Sequence, residues 1–171
     1  MKNRAAQRIL LSIGLLASSY PAHAQKAVLV VRHAEKVSDT DERLTEAGRT
    51  RAQSLAKMLK DAGVGAIYAT DTERARDTAK PLADALGLKV TIYDTGGGMR
   101  GPVDARPFVA MLGKQHAGDV VLVVGHTNTI PDLLKALGCP GDFKMAPDEY
   151  DNVFVVVPRP SEPATLIRLR Y

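Results

Sequence analysis

Four side chains that can bind anions or act as nucleophiles follow apolar runs of the sequence. Arg32 and His33 come directly after the first run beyond residue 24. Arg74 lies five residues after a second apolar segment. A single glycine separates His126 from a third, valine-rich segment. A guanidinium binds phosphate oxygens in a bidentate manner, and an imidazole can form a covalent intermediate. The residue types therefore favour phosphoryl chemistry, provided that the fold brings them together.

The apolar runs are predicted strands, because they are short, continuous and rich in β-branched residues. Segments with a helical spacing of apolar residues separate them. This pattern predicts an α/β fold of three layers, with helices on both faces of a mixed, mostly parallel sheet and an antiparallel hairpin at the end. Ligands of such sheets bind beyond the carboxyl ends of the strands, where the four side chains would converge. The predicted strands span residues 27–32, 66–69, 88–93, 120–124, 153–157 and 164–169. The predicted helices span residues 45–62, 72–86, 106–116 and 129–137, with a bend or break at Pro81.

Four ordered segments of the chain resemble the histidine phosphatase superfamily. The resemblance is to branch 1, the small single-domain, phosphoglycerate mutase-like branch that includes cofactor-dependent phosphoglycerate mutases and bacterial phosphohistidine phosphatases. It extends from Ala27 to about Leu137. The segments that carry it are RHAE at 32–35, LTEAG at 44–48, RARDTA at 74–79 and VVGHT at 123–127.

The resemblance implies a role for each of the four side chains. His33 resembles the nucleophile that becomes phosphorylated, and His126 resembles the second histidine, which donates to the phosphoryl oxygens. Arg32 and Arg74 resemble the phosphate-binding arginines. No metal and no other cofactor is implied, because two guanidinium groups and an imidazolium can neutralise the charge of a loose transition state.

The general acid is the part of the family pattern that this sequence does not match. Many members carry a glutamate after the third strand, which protonates the leaving oxygen, whereas residues 90–100 contain none. Asp94 and Glu35 are the two candidates, and either carboxyl would need a raised pKa. Glu35 could instead form a salt bridge to Lys36 or to an arginine. A third alternative is that no dedicated acid exists, which a good leaving group such as a phosphoramidate would tolerate.

Three further features have less direct interpretations. The glycines at 96–98 are interpreted as a mobile loop, in a segment shorter than the insertion that larger family members use to recognise substrate. The pocket should therefore be shallow and open, which disfavours mutase activity because a mutase must exclude water. His116, at a predicted helix end, is expected to be structural. Cys139, the single cysteine, is expected to be buried.

The first 24 residues are interpreted as a secretory signal peptide. Basic residues precede a short apolar run, and an Ala-His-Ala sequence at 22–24 is typical of a cleavage site. The run is too short to span a bilayer. The segment holds three of the 23 Lys and Arg residues and none of the 19 Asp and Glu residues, so cleavage lowers the net charge from +4 to +1. Residues 25–171 are then predicted to form a single domain, and any anion site must be local.

The sequence as a whole predicts an exported, metal-independent phosphatase, periplasmic or secreted, that works through a phosphohistidine at His33. Its substrate would be a small phosphomonoester or phosphoramidate, and an envelope sugar phosphate is one candidate. The low aromatic content of 5% argues against nucleic-acid binding, and no membrane insertion is expected after cleavage. The alternatives are a phosphate-recognising protein without turnover and a mutase-type phosphotransferase. The oligomeric state is left open.

Overall fold

A computed structural model describes residues 25–95, 104–159 and 162–171. The predicted signal peptide, the glycine loop at 96–98 and the centre of the terminal turn at 160–161 lie outside the described residues. Predictions that concern those segments therefore stay predictions. In the part of the chain that is described, no helix is long and apolar enough to cross a membrane.

Six strands form one sheet with the order β3-β2-β4-β1-β5-β6. The first four strands pair in parallel, whereas β5 runs antiparallel to β1, and β6 antiparallel to β5. The predicted mixed, mostly parallel sheet with a terminal hairpin is confirmed. The strands are β1 (Ala27–Arg32), β2 (Val64–Ala69), β3 (Val90–Ile92), β4 (Val120–Gly125), β5 (Asn152–Val157) and β6 (Thr165–Arg170). The helices are α1 (Glu46–Leu59), α2 (Glu73–Leu86), α3 (Arg106–Gln115) and α4 (Ile130–Ala136).

Alternate residues of the central strands enter two hydrophobic cores. Val28 and Val30 of β1 pack with apolar residues of α3 and α4, and Leu29 and Val31 pack with those of α1 and α2. All six residues of β4 are buried. Because both sheet faces are covered, the strands read as continuous apolar runs rather than alternating ones. The three-layer arrangement follows from this composition.

The register of the sheet aligns the carboxyl ends of its central strands. Arg32, the last residue of β1, lies opposite Gly125, the last residue of β4. Ala69, the last residue of β2, lies opposite Val124. The residues that follow these strands therefore leave the sheet side by side at one edge. This alignment positions the candidate site.

The two helices of one layer begin at threonine caps. The Thr45 hydroxyl accepts a hydrogen bond from the Gly48 N–H, and the Thr72 hydroxyl accepts one from the Ala75 N–H, which satisfies donors that have no partner in the first turn. Of the bend or break predicted at Pro81, the break is wrong, because α2 continues through this residue as one helix. A proline removes one N–H donor from a helix, and here the buried apolar face of α2 spans the position and holds it in place.

Two residues away from the site have the surroundings expected for them. Cys139 is buried, as predicted, and burial raises the pKa of its thiol to about 11. His116 ends α3 and makes structural contacts, with Nε2 2.8 Å from the Tyr68 hydroxyl and Nδ1 3.2 Å from an Asp119 carboxylate oxygen.

Candidate active site

The four side chains predicted to form a site all lie buried at the carboxyl edge of the sheet. The exposed fraction is 7% for Arg32, 4% for His33, 6% for Arg74 and 5% for His126. The backbone N–H of His33 donates to the backbone carbonyl of Gly125 at 2.9 Å. This bond connects the carboxyl ends of β1 and β4. The centroids of the two imidazole rings are 5.0 Å apart. Both arginines are close enough for their charges to lower the pKa of each histidine.

His33 is held in one orientation and one tautomer. Its Nδ1 atom is 2.8 Å from the carbonyl oxygen of Ala34. A carbonyl can only accept, so Nδ1 carries the hydrogen, and in the neutral ring the lone pair lies on Nε2. Burial lowers the pKa of His33 to about 4, with the Ala34 carbonyl opposing this and the charges of Arg74 and Arg32 adding to it. At neutral pH the side chain is therefore an uncharged imidazole with a bare Nε2.

His126 is also a neutral ring, but its partners differ. Its Nε2 lies 2.7 Å from the hydroxyl of Thr70, and its backbone N–H donates to the hydroxyl of Thr129 at 2.9 Å. Burial is the main cause that lowers the pKa of His126 to about 3, followed by the charges of His33 and the arginines. Sequence reasoning did not single out Thr70. Its only signal was its place as the first residue after β2.

Arg32 is covered by the loop that precedes β5. Its guanidinium lies 4.0 Å from the centroid of the Tyr150 ring, within the range of a cation–π interaction. The Tyr150 ring is itself 6.1 Å from the His33 ring, so this loop forms one wall of the site. No sequence motif indicated Tyr150. The Nη1 atom of Arg32 also donates to three backbone carbonyls of the loop, those of Ala146 at 3.2 Å, Pro147 at 2.7 Å and Glu149 at 3.2 Å.

Arg74 lies in the first turn of α2 and is paired with a carboxylate that the motifs do not contain. One Glu42 oxygen accepts from Nη1 of Arg74 at 2.5 Å, and the other accepts from the Glu73 N–H at 3.1 Å. Burial raises the pKa of Glu42, but the bonds from the Glu73 N–H and Arg74 outweigh it, so the pKa lies below its ordinary value. An ionised carboxylate thus stands at the predicted phosphate-binding arginine.

Glu35, one of the two candidates for the general acid, is engaged elsewhere. The guanidinium of Arg51 contacts both of its oxygens, at distances of 2.6 and 2.9 Å. Burial raises the pKa of Glu35, but the hydrogen bonds from Arg51 outweigh it and the pKa lies below its ordinary value. The structure therefore places Glu35 in the arginine salt bridge that the sequence left open. A lowered pKa is the opposite of what a general acid needs.

Asp94, the other candidate, lines the pocket next to His126. This pocket has a volume of about 430 Å³ and is formed by residues 70–72 after β2, the last residue of β3 and the three residues that follow it (92–95), together with His126 and Thr129. His126 is the residue that this pocket shares with the four predicted site residues. The prediction of a shallow, open site depends on residues 96–103, which lie outside the described residues.

The site holds no arrangement suited to a metal ion in the part of the chain that the structure describes. No group of three or more His, Cys, Asp or Glu side chains is placed there to bind one. The local charges that face the two histidines are those of the arginines and of Lys36. The two buried imidazoles therefore lie in a locally positive environment.

Fold and site together define an α/β protein with paired histidines and arginines at the carboxyl edge of its sheet. Residues 28–95 match the family model described as the histidine phosphatase superfamily, branch 1. This match confirms the resemblance to that superfamily over the residues that it covers.

Individual proteins are similar to this chain in sequence or in fold. The chain is 37% identical over 71 residues to "Probable phosphoglycerate mutase GpmB" of Yersinia enterocolitica; the alignment covers 37% of this chain and spans only 33% of that protein. Two solved structures share the fold, each at 20% identity. The protein histidine phosphatase SixA with tungstate has a TM-score of 0.67 over 84% of this chain and 96% of its own. A mycobacterial glucosyl-3-phosphoglycerate phosphatase with inorganic phosphate has a TM-score of 0.64 over 85% of this chain and 96% of its own.

Proposed function

We propose that this protein is a metal-independent phosphatase that hydrolyses phosphomonoesters or phosphoramidates through a phosphohistidine at His33. The superfamily contains phosphatases and mutases, so the class of reaction is phosphoryl transfer. The observation that supports the proposal most directly is the bond from Nδ1 of His33 to the Ala34 carbonyl. It leaves the lone pair of a neutral, buried imidazole on Nε2, beside two arginines that can bind the phosphoryl oxygens.

In the first step, Nε2 of His33 attacks phosphorus in line with the leaving group. The bond from phosphorus to the leaving oxygen or nitrogen breaks, and the leaving atom takes a proton. The guanidinium groups of Arg32 and Arg74 and the His126 ring hold the three equatorial oxygens, where the charge of a loose transition state is spread. In the second step, a water attacks phosphorus and the bond from phosphorus to Nε2 of His33 breaks. The proton of the water passes to the group that protonated the leaving atom, inorganic phosphate is released, and His33 is restored.

Asp94 is the better placed donor for the proton of the leaving group. It lies on the wall of the pocket that a leaving group would enter, next to His126. Glu35 is ionised and bound to Arg51. A phosphoramidate needs this proton less than an alkyl phosphate does, since its nitrogen can be protonated in the substrate itself.

The substrate is a small phosphorylated molecule, and export would direct the enzyme to an envelope sugar phosphate or a scavenged phosphomonoester. The predicted signal peptide at 1–24 supports this location. Two proteins of the same fold are phosphatases by name, one acting on protein phosphohistidine and the other on glucosyl-3-phosphoglycerate. A mutase-type phosphotransferase is the second candidate, favoured by the identity to the Yersinia protein.

A quenched-reaction experiment tests the proposal. The purified protein is incubated with labelled p-nitrophenyl phosphate or phosphoramidate, and the protein-bound label is tested for stability. We expect an acid-labile, alkali-stable phosphoenzyme, release of inorganic phosphate, and undiminished turnover in EDTA. His33→Ala should lose the label and at least about a thousandfold in turnover. His116→Gln is a matched control, because His116 contacts Tyr68 and Asp119 instead.

Other outcomes separate the alternatives. A label that persists in His33→Ala would exclude His33 as the nucleophile. Transfer of phosphate to an added acceptor without release would indicate a mutase. Phosphate binding without any turnover, with the same affinity in His33→Ala, would indicate a recognition protein.

A further inference from the structure

Thr70 joins the end of β2 to the second histidine of the site. Its hydroxyl oxygen is 2.7 Å from Nε2 of His126, and both side chains are buried, with exposed fractions of 4% and 5%. The Thr70 backbone is fixed on both sides, because its N–H donates to the Val124 carbonyl at 3.3 Å and its carbonyl accepts from the Thr72 N–H at 2.8 Å. The hydroxyl is therefore held at His126 by the sheet register itself.

The contact leaves His126 with one ring nitrogen for a substrate. Nε2 is occupied by Thr70, so a phosphoryl oxygen can be reached only by Nδ1. Phosphoryl oxygens accept hydrogen bonds, which means that Nδ1 must carry a hydrogen to bind one. In a neutral ring only one nitrogen carries a hydrogen, so Nε2 must then have none. An Nε2 without a hydrogen can only accept, so the Thr70 hydroxyl must donate to it.

We propose that Thr70 is a positioning residue, which donates its hydroxyl hydrogen to Nε2 of His126 and so keeps the ring hydrogen on Nδ1, aimed at the phosphoryl group. The proposal rests on the phosphoryl-transfer function proposed above. The proposal concerns the neutral ring; in a protonated ring both nitrogens carry hydrogen, and the Thr70 hydroxyl would accept from Nε2 instead.

The same principle makes the two histidines chemically different although their rings are 5.0 Å apart. The Ala34 carbonyl can only accept, so it fixes the hydrogen of His33 on Nδ1 and leaves the lone pair of Nε2 available to attack phosphorus. The Thr70 hydroxyl can donate, so it keeps Nε2 of His126 without a hydrogen and leaves the hydrogen on Nδ1. One ring becomes a nucleophile and the other a hydrogen-bond donor.

Two substitutions at Thr70 test the proposal. Thr70→Val keeps the shape and removes the hydroxyl, whereas Thr70→Ser keeps the hydroxyl. We expect Thr70→Val to lower kcat for p-nitrophenyl phosphate by about tenfold to a hundredfold, as for the loss of one buried hydrogen bond, with a smaller change in KM. Thr70→Ser should restore most of the rate. Thr50→Val, on the exposed face of α1, is the control for a threonine to valine change.

The decisive readout is the tautomer of His126, measured by nitrogen-15 NMR of the free protein at neutral pH. Wild type and Thr70→Ser should show the hydrogen on Nδ1, and Thr70→Val should shift it partly or wholly to Nε2. A wild-type ring with its hydrogen on Nε2 would overturn the proposal. So would a Thr70→Val protein with an unchanged tautomer, even if its rate fell. Because this measurement needs no substrate, it remains valid if His33 fails to form a phosphoenzyme, which would refute the proposed function instead.

Discussion

The carboxylate of Glu42 lies 2.5 Å from the guanidinium of Arg74, on the side chain that the family motif assigns to phosphate. Glu42 comes from the segment between β1 and α1, and its second oxygen accepts the N–H of Glu73 at the start of α2. A carboxylate at this position resembles an incoming phosphoryl group in charge and in hydrogen bonding. An anionic substrate must therefore share Arg74 with Glu42 or displace it.

Replacing Glu42 by glutamine should strengthen phosphate binding. The variant removes a negative charge next to Arg74 and leaves an amide that can still accept from it. We expect the inhibition constant of inorganic phosphate to fall by about twofold to fivefold, in keeping with the small contribution of a partly exposed ion pair. Asp41→Asn, in the same segment but paired with Arg43, should leave the constant unchanged. Weaker phosphate binding in Glu42→Gln would show that the carboxylate chiefly orients Arg74.

Substitution of Asp94 should affect substrates according to their leaving groups. An alkyl phosphate needs a proton on its leaving oxygen and p-nitrophenyl phosphate does not, so Asp94→Asn should lower kcat for the alkyl substrate by about a hundredfold and for the aryl substrate by less than about threefold. Glu35→Gln should show no such difference between substrates, because its carboxylate is bound to Arg51. A larger loss of kcat for the alkyl substrate in Glu35→Gln, with no such loss in Asp94→Asn, would assign the acid to Glu35. If neither variant distinguishes the alkyl substrate from the aryl one, no dedicated acid exists.

The stability of the protein should fall as the pH is lowered from about 6.5 to about 5. An unfolded histidine has a pKa near 6.5, whereas burial lowers the pKa of His33 to about 4 and that of His126 to about 3. In this range the unfolded chain binds protons that the native protein does not, so the unfolded state gains up to about 1.4 kcal/mol per pH unit for each such proton.

Urea unfolding at pH 7, 6 and 5 measures this effect. We expect the free energy of unfolding to decrease with falling pH in wild type, and the decrease to be much smaller in the double variant His33→Gln, His126→Gln. Glu35→Gln is the control, since a carboxyl with a lowered pKa titrates below this range. An unchanged slope in the double variant would show that neither histidine is kept neutral by burial.

Gly48 should not tolerate a side chain, although it lies in a helix. A Cβ at this position would collide with the backbone carbonyl of Glu35, two residues beyond the nucleophile. The gain in helix propensity from Gly48→Ala is about 1 kcal/mol, and crowding against a fixed backbone costs about 1–3 kcal/mol. We expect a lower Tm. Gly65→Ala, where the nearest atom lies at 3.5 Å, should be close to neutral, and a raised Tm in Gly48→Ala would contradict the close approach.

The sequence by itself predicted the strands and, provided that these strands are neighbours, the convergence of the four site residues. Buried strands must be continuous apolar runs, so residues 27–32 and 120–124 could be recognised one by one. The polar residues that follow each run must then leave the sheet at its carboxyl edge. For this reason His33 and His126 could be predicted to lie side by side if their strands were neighbours, and their ring centroids are 5.0 Å apart.

Only the tertiary structure decided which partners those side chains have. Thr70 meets His126, Glu42 meets Arg74 and Tyr150 covers Arg32 across 56, 32 and 118 positions of the chain. The partners lie in turns and loops, whose residues carry no periodic pattern, and their positions depend on how helices and strands pack. For the same reason, only the structure shows that Glu35, a candidate for the general acid, forms a salt bridge with Arg51. A strand pattern fixes where a side chain leaves the sheet, but its protonation state and its hydrogen-bond partners depend on neighbours that only folding brings into contact.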